Sequence, residues 1–281
     1  MVRRQIDAAG EKDMIETKLK LWRSAGVTAL ISAGALGLAN CSPPSTETSE
    51  TATAEASGEA GEAAIGETGG EAGEAGIANV FTGLEGPALK AARLQQLKAF
   101  VLVGRQVAEG NTGEEAGILV SQGLLEVFTA HEADFAGFNP AAVRAAENLA
   151  GLDRAAVAQR LDAAANSITQ AQGGLNANPA DLASRMIDIS TGLYQHVNRP
   201  DFVDPTEYQH SLGAALAARD ALTRGEAALR AQNAARYTEA LNELNRFIAL
   251  WPGATAPETP ATNQQVLAQA SRVKLALSSF L

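Results

Sequence analysis

Residues 42 to 76 hold eight glutamates and no lysine, arginine or histidine. No other feature limits the fold of this chain so much. The stretch opens as Ser-Pro-Pro-Ser-Thr-Glu and settles into Gly-Glu-Ala repeats: Gly58-Glu59-Ala60, Gly61-Glu62-Ala63, then Glu71 to Gly76. Such a sequence has too little apolar surface to offset the entropy lost on ordering. Its like charges repel and extend the coil. A calcium site in these glutamates is not expected, because their regular spacing comes without the fixed turn that closes a cage. The expectation is a disordered acidic tether over residues 41–76. Folding is then confined to residues 77–281, which are enough to bury a sizeable core.

The residues before the tether read as an address. Lys18, Lys20 and Arg23 precede an apolar run from Ala25 to Ala39. A basic region followed by a short apolar one is the pattern of a secretory signal, and the run is shorter than the ~20 residues of a membrane-spanning helix. It ends in Leu38-Ala39-Asn40-Cys41, and Cys41 is the single cysteine of the chain. One cysteine excludes an internal disulfide and a cysteine-based metal cluster. Asp7, Glu11 and Asp13 sit awkwardly in a region that should be basic. The signal is therefore expected to start at Met14 within residues 1–40.

The rest of the charge is modest. Residues 77–281 carry sixteen Lys/Arg against twenty Asp/Glu, so most of the formal −10 lies in the tether. No basic face of the kind that nucleic acid requires is present. The domain is rich in alanine and poor in aromatic residues, which favours close-packed helices over sheet.

Periodicity and punctuation predict an all-α domain, a bundle of about eight helices. The first runs from Pro87 to about Glu109 and the second from Glu114 to about Asp134. Asn139-Pro140 opens a third, to about Leu149. Asp153 caps a fourth that ends at Gly173-Gly174. Asn178-Pro179 starts a fifth, to about Val197, and Asp204-Pro205 a sixth, past Arg224. The last two lie near Ala235–Leu250 and Thr262–Leu281, divided by Trp251-Pro252-Gly253. Phe202-Val203 between two aspartates reads as a packed loop.

Several blocks carry resemblances. Leu38-Ala39-Asn40-Cys41 resembles the lipoprotein box of bacterial exported proteins, with Asn40 where Gly, Ala or Ser is usual. That resemblance implies a signal cleaved before Cys41, a thiol that carries diacylglycerol, a further acyl chain such as palmitate on the new N-terminus, and anchoring in the bilayer. Ser42, in place of the aspartate that retains such proteins in the inner membrane, implies an outer-membrane position facing the periplasm. Leu97 to Phe135, Val203 to Arg219, and Leu250-Trp251-Pro252-Gly253 with Val266 to Val273 together resemble an uncharacterised family of exported proteobacterial helical proteins. The middle block is also similar to the periplasmic helical region of some iron permeases. Where the resemblance of Leu97 to Phe135 to the exported helical family implies histidines, this chain has Phe100, Leu119, Gln122 and Gly123, while Glu126 is kept.

Candidate chemistry is sparse. His196, Glu207 and His210 flank the middle block, and Glu207 and His210 share a helix face at i and i+3. These three are the best metal-ligand constellation, and the iron-permease resemblance implies metal handling through them. The spacing of Glu207 from Asp204 also suits a helix-cap pair, and Tyr208 suits a core position with its hydroxyl bonded. His131, Glu132 and Asp134 form a second polar cluster, with His131 and Asp134 expected on one helix face. No nucleophile elbow and no phosphate loop occurs. Arg236 to Pro252 resembles one helix of a tetratricopeptide unit, but arrays need several units. The sequence thus reads as an envelope-anchored binding module, not an enzyme. No cofactor is expected, and the ligand or protein partner stays open.

Overall fold

The computed structural model describes Ile77, residues 79–110 and residues 113–281. The expected signal, Cys41 and the tether lie outside the described residues. All described residues fall within one compact unit.

Eight α-helices build this unit: α1 Gly86–Gly110, α2 Gly113–Gly123, α3 Ala141–Ala145, α4 Arg154–Gln172, α5 Pro179–Tyr194, α6 Pro205–Arg224, α7 Glu226–Ile248 and α8 Asn263–Leu277. The described residues contain no strand, only an isolated bridge between Asn198 and Val203. The domain is all-α.

The helix starts follow local chemistry. Asp153 Oδ1 accepts from the Ala156 amide at 2.8 Å, heading α4. Asn178 and Asp204 do the same for α5 and α6, each followed by proline at the first helical position, where its missing N–H costs nothing. Thr262 and Gln265 close a capping box on α8.

Three expectations need correction. The second helix is not continuous to Asp134. It gives way to a π-helical stretch, Leu124–Thr129, and then to a 3-10 turn, Glu132–Phe135. The third is a single short turn, because Ala146 already bonds back in turn geometry to Val143 and Arg144. The seventh begins nine residues earlier than Ala235, at Glu226, and bends at Asn233, whose φ of −160° is extended. Asn233 Oδ1 accepts from the Arg236 amide at 3.0 Å, recapping the second half near the expected start.

α1 is the wall shared by two apolar cores. Its Ala91, Ala92, Ala99, Val103 and Val107 face a large core with α5, α6, α7 and α8. Its Leu94, Leu97, Val101 and Ala108 face a smaller one with α2, α3 and α4. A helix apolar on both sides must be buried on both sides. The small residues lie toward α6, where Gly213 meets the Ala99 carbonyl so closely that an added Cβ would stand 2.7 Å from its oxygen.

The blocks singled out in the sequence pack on one another. Tyr208 is fully buried and its hydroxyl donates to the Gly253 carbonyl at 3.1 Å. Trp251 Nε1 donates to Ser211 Oγ at 3.0 Å. The indole meets Tyr194 and Phe247 edge-on, with centroids 5.1 Å away in each case. The Trp-Pro-Gly segment is thus a clasp that holds the α7–α8 connection against α6. The loop expected at Phe202-Val203 forms, but it packs through the half-buried Val203 alone, while Phe202 stands 58 % exposed beside the bridge.

Candidate functional site

Between α1, the π-helical stretch, α5 and α6 lies a cavity of about 370 Å³. Most of its wall is apolar: Phe100 and Val103 from α1, Met186, Ile189 and Leu193 from α5, Ala214 from α6. Six polar side chains converge on it: Arg93, Gln96, Glu126, His131, Glu207 and His210. An enclosed, mostly apolar space with a few convergent polar groups is the ordinary form of a small-molecule site.

Each polar group has a structural reason to be there. Glu207 and His210 occupy one face of α6, three residues apart, as the sequence suggests. Asp204 caps α6 through the amides of Thr206 and Glu207 at 3.0 and 3.2 Å. The Asp204 amide donates to the Val197 carbonyl at 2.8 Å, and Glu207 lines the cavity. Glu126 arrives through the π-helical stretch, whose wider turn shifts the side-chain phase relative to α2. Beyond it the chain leaves helical geometry at His131, with φ −132° and ψ 37°. His131 therefore lines the cavity while Asp134, in the next turn, pairs with Arg93. The expected shared helix face of His131 and Asp134 does not form, because the helix ends between Thr129 and Glu132.

His210 is buried, and burial lowers its pKa to about 4 against a smaller opposing pull from Asp204. At neutral pH the ring is uncharged. Its Nε2 lies 3.2 Å from Gln122 Oε1. With the Gln122 carboxamide in this orientation its oxygen accepts, which assigns the ring proton to Nε2. The ring also meets Phe100 edge-on at 4.9 Å between centroids.

Arg93 is held on three sides. Its Nε donates to Asp134 Oδ2 at 3.3 Å, and one terminal nitrogen donates to Gln96 Oε1 at 3.1 Å. Its Cζ lies 3.7 Å from the Phe81 ring centre. Desolvation lowers its pKa, and the bond and charge of Asp134 work against that. Glu126, His131 and Glu207 each interact with neighbouring groups of the protein.

Of the three residues expected to bind metal, Glu207 and His210 meet at the cavity and His196 does not line it. His196 sits in the turn after α5, where its carbonyl accepts from Arg199 Nε at 2.9 Å. Among the described residues no group of three or more His, Cys, Asp or Glu is placed to hold a metal ion. The trio is thus a pair, and the donor set does not fit a resident metal. Sequence reasoning passed over Arg93 and Gln96. It noted Glu126 and Gln122 without assigning either a role, although their i and i+4 spacing puts them near one another.

No helix among the described residues is long and apolar enough to cross a membrane. Comparison with protein-family models, with curated proteins and with solved structures found no match for this chain.

Proposed function

We propose that the chain is a lipid-anchored protein of the bacterial cell envelope whose helical domain binds a small ligand in the cavity between α1, α5 and α6. The observation that carries the binding role is the cavity itself. It brings six polar side chains from three separate parts of the chain onto one apolar space. A core whose only task was stability would fill such a space, since every void forfeits packing energy. The anchor rests on the residues around Cys41, and the acidic tether would hold the domain away from an anionic bilayer.

Metal handling is the reading that the iron-permease resemblance favours. It is the weaker one, because among the described residues no three His, Cys, Asp or Glu are arranged as a stable site requires.

The test fills the cavity. Ala214 is buried on its wall. Ala214→Phe should occupy part of the space while leaving α6 helical by circular dichroism. Small molecules from an envelope extract are then screened for raising Tm, since a ligand that binds only the folded state stabilises it. Compounds that stabilise the native protein and not the variant support the reading. If the two proteins respond alike to every fraction, the cavity is not a binding site.

A further inference from the structure

We infer that the segment carrying Ile77 and the 3-10 turn Asn79–Phe81 is a strap that closes the cavity and swings on Gly83 and Gly86 to admit the ligand. The inference rests on the reading of the cavity as a binding site and adds how that site opens and closes.

The inner walls cannot part easily. Phe100 and Val103 on α1, Met186 and Ile189 on α5 and Ala214 on α6 sit on long helices that pack on one another. Ile77 is different. Among the described lining residues it alone precedes α1. The turn that follows it bridges two walls. Phe81 stacks on the Arg93 guanidinium of α1, 3.7 Å from Cζ to the ring centre, and Arg93 itself lines the cavity. The Val80 carbonyl accepts from a terminal nitrogen of Arg185 on α5, and Asp181 holds that arginine through its Nε at 2.8 Å.

The closed form is the resting one, since Phe81 is buried and Ile77, Val80 and Leu84 pack half-buried against the larger core. Yet the backbone of the strap bonds locally. The Thr82 amide donates to the Asn79 carbonyl at 3.2 Å and the Leu84 amide to the Phe81 carbonyl at 3.1 Å. A segment held to the body by side chains and to itself by turns opens at a lower free energy than the helices beneath it.

Two glycines separate the strap from the rest of α1. Gly83 has φ +78° and Gly86 φ +51°, and a Cβ on either would meet nothing within 4 Å. Left-handed backbone, not crowding, is what glycine serves at both. Pro87 then fixes φ in the first turn of α1, so rotation ends there. A few loop residues that absorb backbone rotation beside a rigid element are the ordinary form of a hinge. Closing such a segment over a bound ligand shuts water out of the site.

The experiment is native-state thiol labelling of the full-length Cys41→Ser chain, in which an introduced cysteine is the only thiol. Ala214→Cys places it on the cavity wall, and Ala164→Cys places it in the smaller core. Labelling by iodoacetamide is followed at rising urea below the unfolding transition. Local opening exposes little surface and its rate hardly depends on urea, whereas global unfolding climbs steeply with it. Ala214→Cys should label with little urea dependence, and Ala164→Cys through global unfolding. Phe81→Ala and Arg185→Gln should each speed the first about tenfold, the scale of one partly desolvated cation–π or charged contact, and the second far less. Labelling at position 214 that climbs with urea as at position 164 overturns the strap. So does urea-independent labelling that neither strap variant changes, because the opening then lies elsewhere. Equal acceleration at both positions overturns it too, since the variants then loosen the whole domain. A strap that fails while fractions still stabilise the native protein over Ala214→Phe leaves the binding site standing. A strap that opens over a cavity where no fraction tells those two proteins apart overturns the binding reading and, with it, the admission of a ligand.

Discussion

His210 Nε2 lies 3.2 Å from Gln122 Oε1, a bond between residues 88 positions apart that ties α6 to α2 across the edge of α1. It fixes a neutral imidazole inside the domain, and that has a measurable consequence. Burial lowers the pKa of His210 to about 4, with Asp204 pulling weakly the other way. The unfolded chain protonates this histidine near 6.5. Between those values the unfolded state binds more protons, so stability is full above pH 6.5 and falls as pH drops toward 4. The loss from this one group reaches about 3 kcal/mol. Urea unfolding at pH 7, 5.5 and 4 should show it, and His210→Gln should flatten the slope in that window. Equal slopes for the two proteins would place His210 in contact with solvent.

A buried pair makes the second prediction. Lys98 Nζ sits 2.7 Å from Asp220 Oδ1, with the lysine side chain 3 % exposed, and also donates to Thr169 Oγ1 at 2.7 Å. Burial pushes the ammonium down more than Asp220 restores it. Asp220 is itself desolvated, yet Lys98, Gln95 and Arg224 hold it below the usual carboxylate range. Asp220→Asn strands the ammonium and should cost about 3 kcal/mol. Adding Lys98→Met should recover most of that, because it removes the stranded charge. A cost for Asp220→Asn below about 1 kcal/mol would mean that the pair behaves as a surface ion pair.

These two relationships mark what a sequence can and cannot disclose here. Asp153, Asn178-Pro179, Asp204-Pro205 and Thr262 announce their helices, because capping acts within three or four residues and leaves a local signature. Glu207 and His210 could be paired on the same ground. Lys98 and Asp220, His210 and Gln122, and Arg93 and Asp134 are separated by 122, 88 and 41 positions. Their meeting depends on how α1 crosses its neighbours, which periodicity does not specify. The π-helical stretch escaped for a different reason. Leu124 to Thr129 has helical apolar spacing, and one extra residue in a turn changes its phase without changing its composition. That shift separates His131 from Asp134 and carries Glu126 to the cavity. The His196 assignment failed in the same way: proximity along the chain put it near Asp204, but the turn after α5 keeps it off the cavity wall.

Two glycines hold helices at close approach. At Gly213 a Cβ would meet the Ala99 carbonyl oxygen at 2.7 Å, and at Gly123 it would meet Phe100 Cβ and Cγ at the same distance. The first neighbour is backbone of a buried helix and cannot give way, so α1 and α6 must part. Gly213→Ala should cost about 2 kcal/mol. The second neighbour includes a Cβ fixed to the α1 backbone, so turning the ring does not relieve the clash. Gly123→Ala should also cost about 2 kcal/mol, and it should displace Phe100 and the His210 ring it touches on the cavity wall. Chemical unfolding checks both. A loss below about 0.5 kcal/mol at either position would contradict the close approach there.

The proposed lipid anchor at Cys41 lies outside the described residues. Burying acyl chains is worth about 0.8 kcal/mol per methylene, so two or more chains on Cys41 hold a protein on the bilayer where one would release it. Cys41→Ser removes the only thiol in the chain. The variant should incorporate no labelled palmitate and should leave the membrane fraction on cell fractionation. Its uncleaved form should begin at Met14 on N-terminal sequencing, and a peptide beginning at Met1 would overturn that start. Retention of Cys41→Ser in the membrane fraction would show that the apolar run from Ala25 to Ala39 anchors the protein itself. In that case the proposed spacer would start from an uncleaved segment, and Cys41 would have no part in the anchoring.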